Sequence, residues 1–228
     1  MSFTLTSLIP GVGHEYAHVA TAGIVTAGLV VTSIVAKKSL GKGDNAVIPA
    51  DRFSLKGIFE LITEFIAGLC DMVIGEHGHK YIPMFASIFT FVLINNLVGV
   101  IPGMAPATEN LNTTLAMGIC VFLTYNIFGL KENGVSYLKH FLGPVMWLAP
   151  LMLVIELISH IVRPISLGLR LANVLKGDHT VVGIFLDIAP IGLPIPFYIL
   201  GIFVCFVQAF VFTLLSMVYV ALATAHDH

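Results

Sequence analysis

Glu156, His160, Arg163, Arg170 and Asn173 recur along a single apolar stretch. Their spacings of 4, 3, 7 and 3 residues suit an α-helix, where residues three, four and seven apart share a face. The pattern predicts one polar stripe, widened slightly by Ser159 and Ser166. Carboxylates and imidazoles exchange protons near neutral pH once their surroundings tune them. A guanidinium keeps its proton. Arg170, inside Ser166-Leu-Gly-Leu-Arg170-Leu-Ala-Asn173, would cost about 3 kcal/mol on insertion scales if placed in hydrocarbon, and more in simulations. Its presence calls for water, a counter-charge or a function. No acid stands one turn from it, so its own helix does not neutralise it. For His160 a hydrogen-bonded interior role is the stronger expectation. For Arg163, beside Pro164, a structural ion pair and a place in an ion path stand level.

A charged stripe of this kind needs a membrane-embedded frame, and the composition supplies one. Hydrophobic residues make up 57% of the 228 and charged residues 11%, with a mean hydropathy of +0.95. Soluble domains carry about a quarter charged residues, so the chain reads as an all-α integral membrane protein. Five membrane-embedded segments are expected: 17–36, 82–101, 112–128, 144–175 and 181–223, the last disturbed at Pro190, Pro194 and Pro196. The stretch 53–74 alternates Phe59, Ile62, Phe65, Ile66 and Leu69 with Glu60, Glu64 and Asp71, which predicts an amphipathic interfacial helix. The last two segments exceed the ~20 residues of a perpendicular span, so strong tilt is expected. All these segments are read as one membrane domain covering 1–228.

Residues 1–16 and 102–111 contain no Lys or Arg, whereas Lys37, Lys38, Lys42, Arg52 and Lys56 follow the first segment and Lys131 and Lys139 the third. The positive-inside rule then puts the N-terminus outside and the C-terminus in the cytoplasm. Cys70, Cys120 and Cys205 lie far apart in apolar sequence and read as inert core thiols. On the last segment Gln208 and Tyr219 are eleven residues apart, a return to within about 20° on a helix. They give that helix a polar face, with Gln208 the expected amide contact of Arg170.

Three motifs in order carry a resemblance. Ser166-Leu-Gly-Leu-Arg170-Leu with Ala172-Asn173 resembles the signature of subunit a of F-type ATP synthases, the stator channel beside a rotating c-ring. Gly75-Glu-His-Gly-His-Lys-Tyr-Ile-Pro83 with Phe91-Val-Leu-Ile-Asn95-Asn96-Leu-Val-Gly-Val-Ile-Pro102-Gly103 is similar to the family's second-helix region. Gln208 to Tyr219 is similar to its last helix. The resemblance covers about residues 14–225. It implies a non-catalytic, proton-translocating subunit of a rotary complex in a bacterial inner membrane, partnered by the c-ring, the subunit b peripheral stalk and lipid. No cofactor, metal or nucleic acid is implied. Arg170 would face the rotor carboxylates and separate two aqueous half-channels. Glu156 would lie in one half-channel, Asn173 and Gln208 would neighbour the arginine, and Tyr219 would sit further along the last helix.

Two departures from the family pattern stand out. Two residues rather than three separate Arg170 from Asn173, and Gly201 stands where an ionisable partner is expected. Gly177-Asp178-His179 offers both Asp178 and His179 as relay group.

Two other function classes fit parts of the chain. His14-Glu15-Tyr16-Ala17-His18 is literally the H-E-x-x-H pattern of zinc metalloproteases. Its expected alternative is a polar helix start, and a protease would also need a third ligand. A secondary transporter would use Arg170 to bind an anion, but such folds show internal repeats and none is evident between the halves.

Overall fold

The computed structural model describes residues 17–39, 54–101, 104, 106–134, 149–188, 192 and 194–224. These form six α-helices: α1 (Ala17–Ser39), α2 (Leu55–Val73), α3 (Ile82–Val100), α4 (Leu111–Asn133), α5 (Ala149–Ile188) and α6 (Pro194–Thr224). Short 3-10 turns at Glu76–Tyr81 and Ala107–Glu109 precede α3 and α4. Among the described residues there is no strand. Five stretches are long and apolar enough to cross a membrane: His18–Lys38, Gly78–Val100, Leu111–Asn133, Leu151–Ile188 and Pro194–Thr224. The chain is an all-helical integral membrane protein.

One expected boundary moves. The expected segments 144–175 and 181–223 leave 176–180 between them, yet α5 runs unbroken from Ala149 to Ile188. The polar run Lys176-Gly-Asp-His does not end the helix, because Asp178 and His179 find neighbours on adjoining elements. Helix α6 begins at Pro194, and before it Gly192 takes φ of +93°, a conformation only glycine adopts freely. Phe185 of α5 and Phe197 of α6 stack with centroids 4.0 Å apart.

The core is shared by five helices. Ile66 and Cys70 of α2, Phe85 and Val92 of α3, Tyr125 of α4, Leu171 of α5 and Met217 of α6 are all buried. Ser54 caps α2 by accepting a hydrogen bond from Gly57 N at 3.2 Å, meeting one of the orphan donors of the first turn. Burial, with Asp71 adding to it, pushes the Cys70 thiol up to about 11, so it stays protonated and unreactive near neutral pH. At one end of the bundle Glu132 of α4 binds Lys80 and accepts a hydrogen bond from Tyr81 Oη at 3.1 Å. Asn133 donates to Ala223 O of α6 at 3.0 Å. These contacts clamp the starts and ends of three helices together.

Helices α4 and α5 cross at backbone contact. A Cβ at Gly118 would stand 2.5 Å from Pro164 O, and one at Gly168 would stand 2.9 Å from Thr114 O. Only glycine permits this approach, the usual route to tight helix packing in membranes. Pro164 removes one helical N–H, and Ser166 Oγ donates to Arg163 O at 3.0 Å beside the gap.

Candidate functional site

The inward face of α5 is its stripe Leu167, Leu171, Leu175, each at most 2% exposed. That stripe decides where every polar residue of the helix points. At about 100° per residue, His160 and Asp178 return to within roughly 20° of Leu171 and turn inward. Arg170 lies roughly 100° from it and Asn173 roughly 160°; both are exposed. The single polar stripe expected from the spacing is therefore split. Glu156 to Arg170 keep within roughly 80°, but Asn173 falls a further 60° round.

The first polar cluster precedes Arg170. Arg163 Nη2 lies 3.5 Å from Glu156 Oε1, and its guanidinium sits 5.6 Å over the Tyr219 ring. Tyr219 packs in turn on Tyr125, centroids 6.0 Å apart. Buried His160 bridges two groups of α4: its Nδ1 is 3.4 Å from Tyr125 Oη and its Nε2 is 2.9 Å from Asn126 Oδ1. Asn126 Nδ2 donates to Phe122 O at 2.7 Å, which leaves Oδ1 to accept. A neutral imidazole protonated at Nε2, accepting from the tyrosine at Nδ1, satisfies the whole set.

A second cluster follows Arg170. The Asp178 carboxylate occupies the space above Gly201 of α6, where an added Cβ would meet Oδ2 at 2.7 Å. Beside it Asn96 of α3 and Cys205 of α6 exchange contacts: Asn96 Nδ2 donates to Cys205 O at 3.2 Å and Cys205 Sγ to Asn96 O at 3.4 Å. Thr108 donates to Asn96 Oδ1 at 2.8 Å. His179 turns the other way, its Nδ1 3.3 Å from Glu109 Oε2. Its ring fills the notch left by Gly99, where a Cβ would come within 2.7 Å of it.

Arg170 stands between the clusters, seven residues after Arg163 and eight before Asp178. Among the described residues it makes no ion pair and no hydrogen bond to Gln208, which is half-buried on α6. The structure thus brings Glu156, His160 and Tyr219 into one group and Asp178 and His179 into another, leaving Arg170, Asn173 and Gln208 to neither.

Comparison with known proteins decides the family. The family model described as ATP synthase A chain matches residues 18–221. ATP synthase subunit a of Bdellovibrio bacteriovorus is 69% identical over 229 residues, covering 100% of both chains. That of Geobacter sulfurreducens is 40% identical over 222 residues, 93% of each. Subunit a 1 of Syntrophotalea carbinolica is 40% identical over 211 residues, 92% of this chain and 87% of the relative. The chain belongs to the ATP synthase A chain family.

The family match spans both clusters and the arginine between them. It gives no support to the metalloprotease or transporter readings. His14, Glu15 and Tyr16 of the His-Glu pattern lie outside the described residues, as do residues 144–148 of the fourth expected segment. Among the described residues no three His, Cys, Asp or Glu side chains gather as a metal site would require. Sequence reasoning passed over Glu109, Tyr125, Asn126 and Thr108. The single signal for Glu109 was an acid inside a Lys-free connection. Asn126 and Tyr125 became visible only through the α4–α5 crossing.

Proposed function

We propose that this chain is the proton-conducting stator subunit of an ATP synthase membrane sector, with Arg170 dividing two half-channels that serve the carboxylates of a c-ring. The observation that carries this is the position of Arg170: exposed, unpaired among the described residues, and flanked along one helix by two polar clusters. Such a cation is costly in lipid, so a partner bringing carboxylates is the fitting neighbour. Exposed Leu169, next to it on α5, suits contact with ring helices and lipid.

The chemistry follows from electrostatics. A rotor carboxylate crosses lipid when neutral and not when ionised. A guanidinium about 4 Å away favours the ionised form by roughly 4 kcal/mol at an effective dielectric of 20, a factor of about a thousand in proton release. A rotor acid therefore arrives protonated, discharges at Arg170, and is reloaded after passing it. The cluster around Glu156 and His160 serves one half-channel and that around Asp178 and His179 the other. Asp178, against Gly201, is the relay acid on the α6 side. Arg170 blocks direct leakage because it does not lose its own proton. Asn173 and Gln208 line the rotor side, and Tyr219 holds Arg163.

The Lys and Arg distribution supports an N-terminus outside and a C-terminus in the cytoplasm of a bacterial inner membrane. The turn Ala107–Glu109 then faces outside. Helix α2 lies at the cytoplasmic interface, where subunit b would join the complex. The subunit itself catalyses no bond chemistry. Replacing Arg170 by Ala in the whole complex, reconstituted in vesicles, tests the reading. Loss of proton-driven ATP synthesis with normal assembly is expected, and wild-type synthesis would overturn it.

A further inference from the structure

We infer that the cavity between α1, α2 and α3 holds one acyl chain of an anionic phospholipid, whose phosphate is received by Lys37 at the end of α1. The site is independent of the ion path, since among the described residues no wall belongs to α5 or α6. The cavity measures about 520 Å³, and its walls include Val30 and Ile34 of α1, Phe59 and Ile62 of α2, and Ser87 and Phe91 of α3. Val30 and Ile34 are 52% and 51% exposed, so the α1 wall reaches the lipid-facing surface. Five hydroxyls line the space. Four of them, on Thr26, Thr63, Ser87 and Thr90, each donate to a carbonyl of their own helix at 2.7 Å. Among the described residues no charged side chain lines it. Walls whose polar hydrogens are already bonded suit hydrocarbon.

Volume selects the occupant. A methylene takes up about 30 Å³, much as a water molecule does, so the space accommodates about 17 of them, one long acyl chain. An α-helix about 10 Å across, rising about 1.5 Å per residue, fills about 120 Å³ with each residue. The same space takes roughly four residues, little more than one turn. A partner's helix would be seated by that turn alone, whereas a chain enters whole. The charge at the mouth selects the headgroup. Lys37 follows Val30 by seven residues and Ile34 by three, within about 20° of the first and about 60° of the second on the helix. It is exposed and has no ion pair among the described residues. Its ammonium stands one turn beyond the apolar wall, where a headgroup meets its chain. Lys38 turns about 80° away from Val30. On α2, Lys56 lies 3.4 Å from Glu60. Glu60 and Glu64 are turned about 100° or more from Phe59 and Ile62, so neither acid faces the space a phosphate would enter. On the topology proposed above Lys37 is cytoplasmic, and basic pockets between membrane helices on that side bind anionic headgroups.

The test uses the whole complex in phosphatidylcholine vesicles that contain a minority of phosphatidylglycerol with a photoactivatable group in its acyl chain. Crosslinked peptides are then mapped by mass spectrometry. Labelling is expected on segments 26–34, 59–63 and 83–91, and should be several-fold weaker when a phosphatidylcholine carries the same group. Lys37→Gln should cut phosphatidylglycerol labelling by about fivefold, the worth of one lysine beside an anionic headgroup. Lys38→Gln, off the cavity face, should change it by less than about twofold. Ser87→Phe fills the cavity from α3 and should abolish labelling of these segments by both lipids. Ser87→Leu takes its place if the larger residue prevents assembly. Equal labelling by the two headgroups would overturn the inference, as would labelling indifferent to Lys37→Gln or to the Ser87 variants. Segments left unlabelled because subunit b covers them would overturn it too. Arg170→Ala should leave the labelling unchanged, so synthesis in that variant and lipid at this cavity report on separate readings.

Discussion

Arg163 and Arg170 are the same residue, seven positions apart on one helix, and their surroundings are opposite. Arg163 is 26% exposed, lies 3.5 Å from Glu156 and covers the Tyr219 ring. Arg170 is exposed and has no such partner among the described residues. A charge satisfied within its own chain holds helices together. A charge left open needs a group that arrives from elsewhere, and on the proposed reading the difference separates a structural cation from a working one.

Four substitutions break or sharpen this contrast. Arg170→Ala has the largest effect: proton-driven ATP synthesis should fall below detection while the complex still assembles. Gly118→Val strikes the frame that presents both arginines. Its neighbour is the backbone oxygen of Pro164 at 2.5 Å, which cannot step aside, so overpacking should destabilise the fold by about 1–3 kcal/mol. The readout is a lower amount of chain in membranes and an earlier thermal transition. Gly201→Val meets the movable end of Asp178 instead. The carboxylate swings away at little cost to folding, and conduction should drop several-fold with assembly unchanged. Arg163→Gln should matter least. Its pair with Glu156, itself 42% exposed, is worth about 0.2–1 kcal/mol after screening, so synthesis should stay within about twofold of wild type. A loss as deep as that of Arg170→Ala would erase the distinction between the two cations.

The apolar runs made the helical frame legible, because a span of this length admits little but helix in a membrane. Arg170 was legible for the same reason: a cation in such a run is expensive wherever the helix turns. The direction each residue faces was less so. Each step of three, four or seven residues looks like a return to one face, but the steps accumulate to about 100° between Glu156 and Asn173. Which face turns inward is set by the buried stripe through Leu171, and a stripe of leucines in an all-apolar helix gives no contrast to read. Polar residues at 176–180 looked like a helix end, since their partners on the 3-10 turn and α6 are distant in sequence. Gly201 read as a missing partner. Packed against α5 it is a space, and the space is filled by Asp178. Glu109 stood alone in a connection, and nothing in its sequence neighbours pointed seventy residues ahead to His179.

The glycine crossing also sets how the helix answers to force. Arg170 follows Gly168 by two residues, and Gly168 rests against the main chain of α4 at Thr114 and Leu115. On the proposed reading, a rotor passing Arg170 would push sideways on α5. Through side chains that push would be absorbed by rotamer changes. Through main chain against main chain there is no such slack, so the load passes directly into α4 and the rest of the stator. The arginine would therefore stand two residues from a main-chain brace, where recoil under torque is resisted by backbone rather than by side chains.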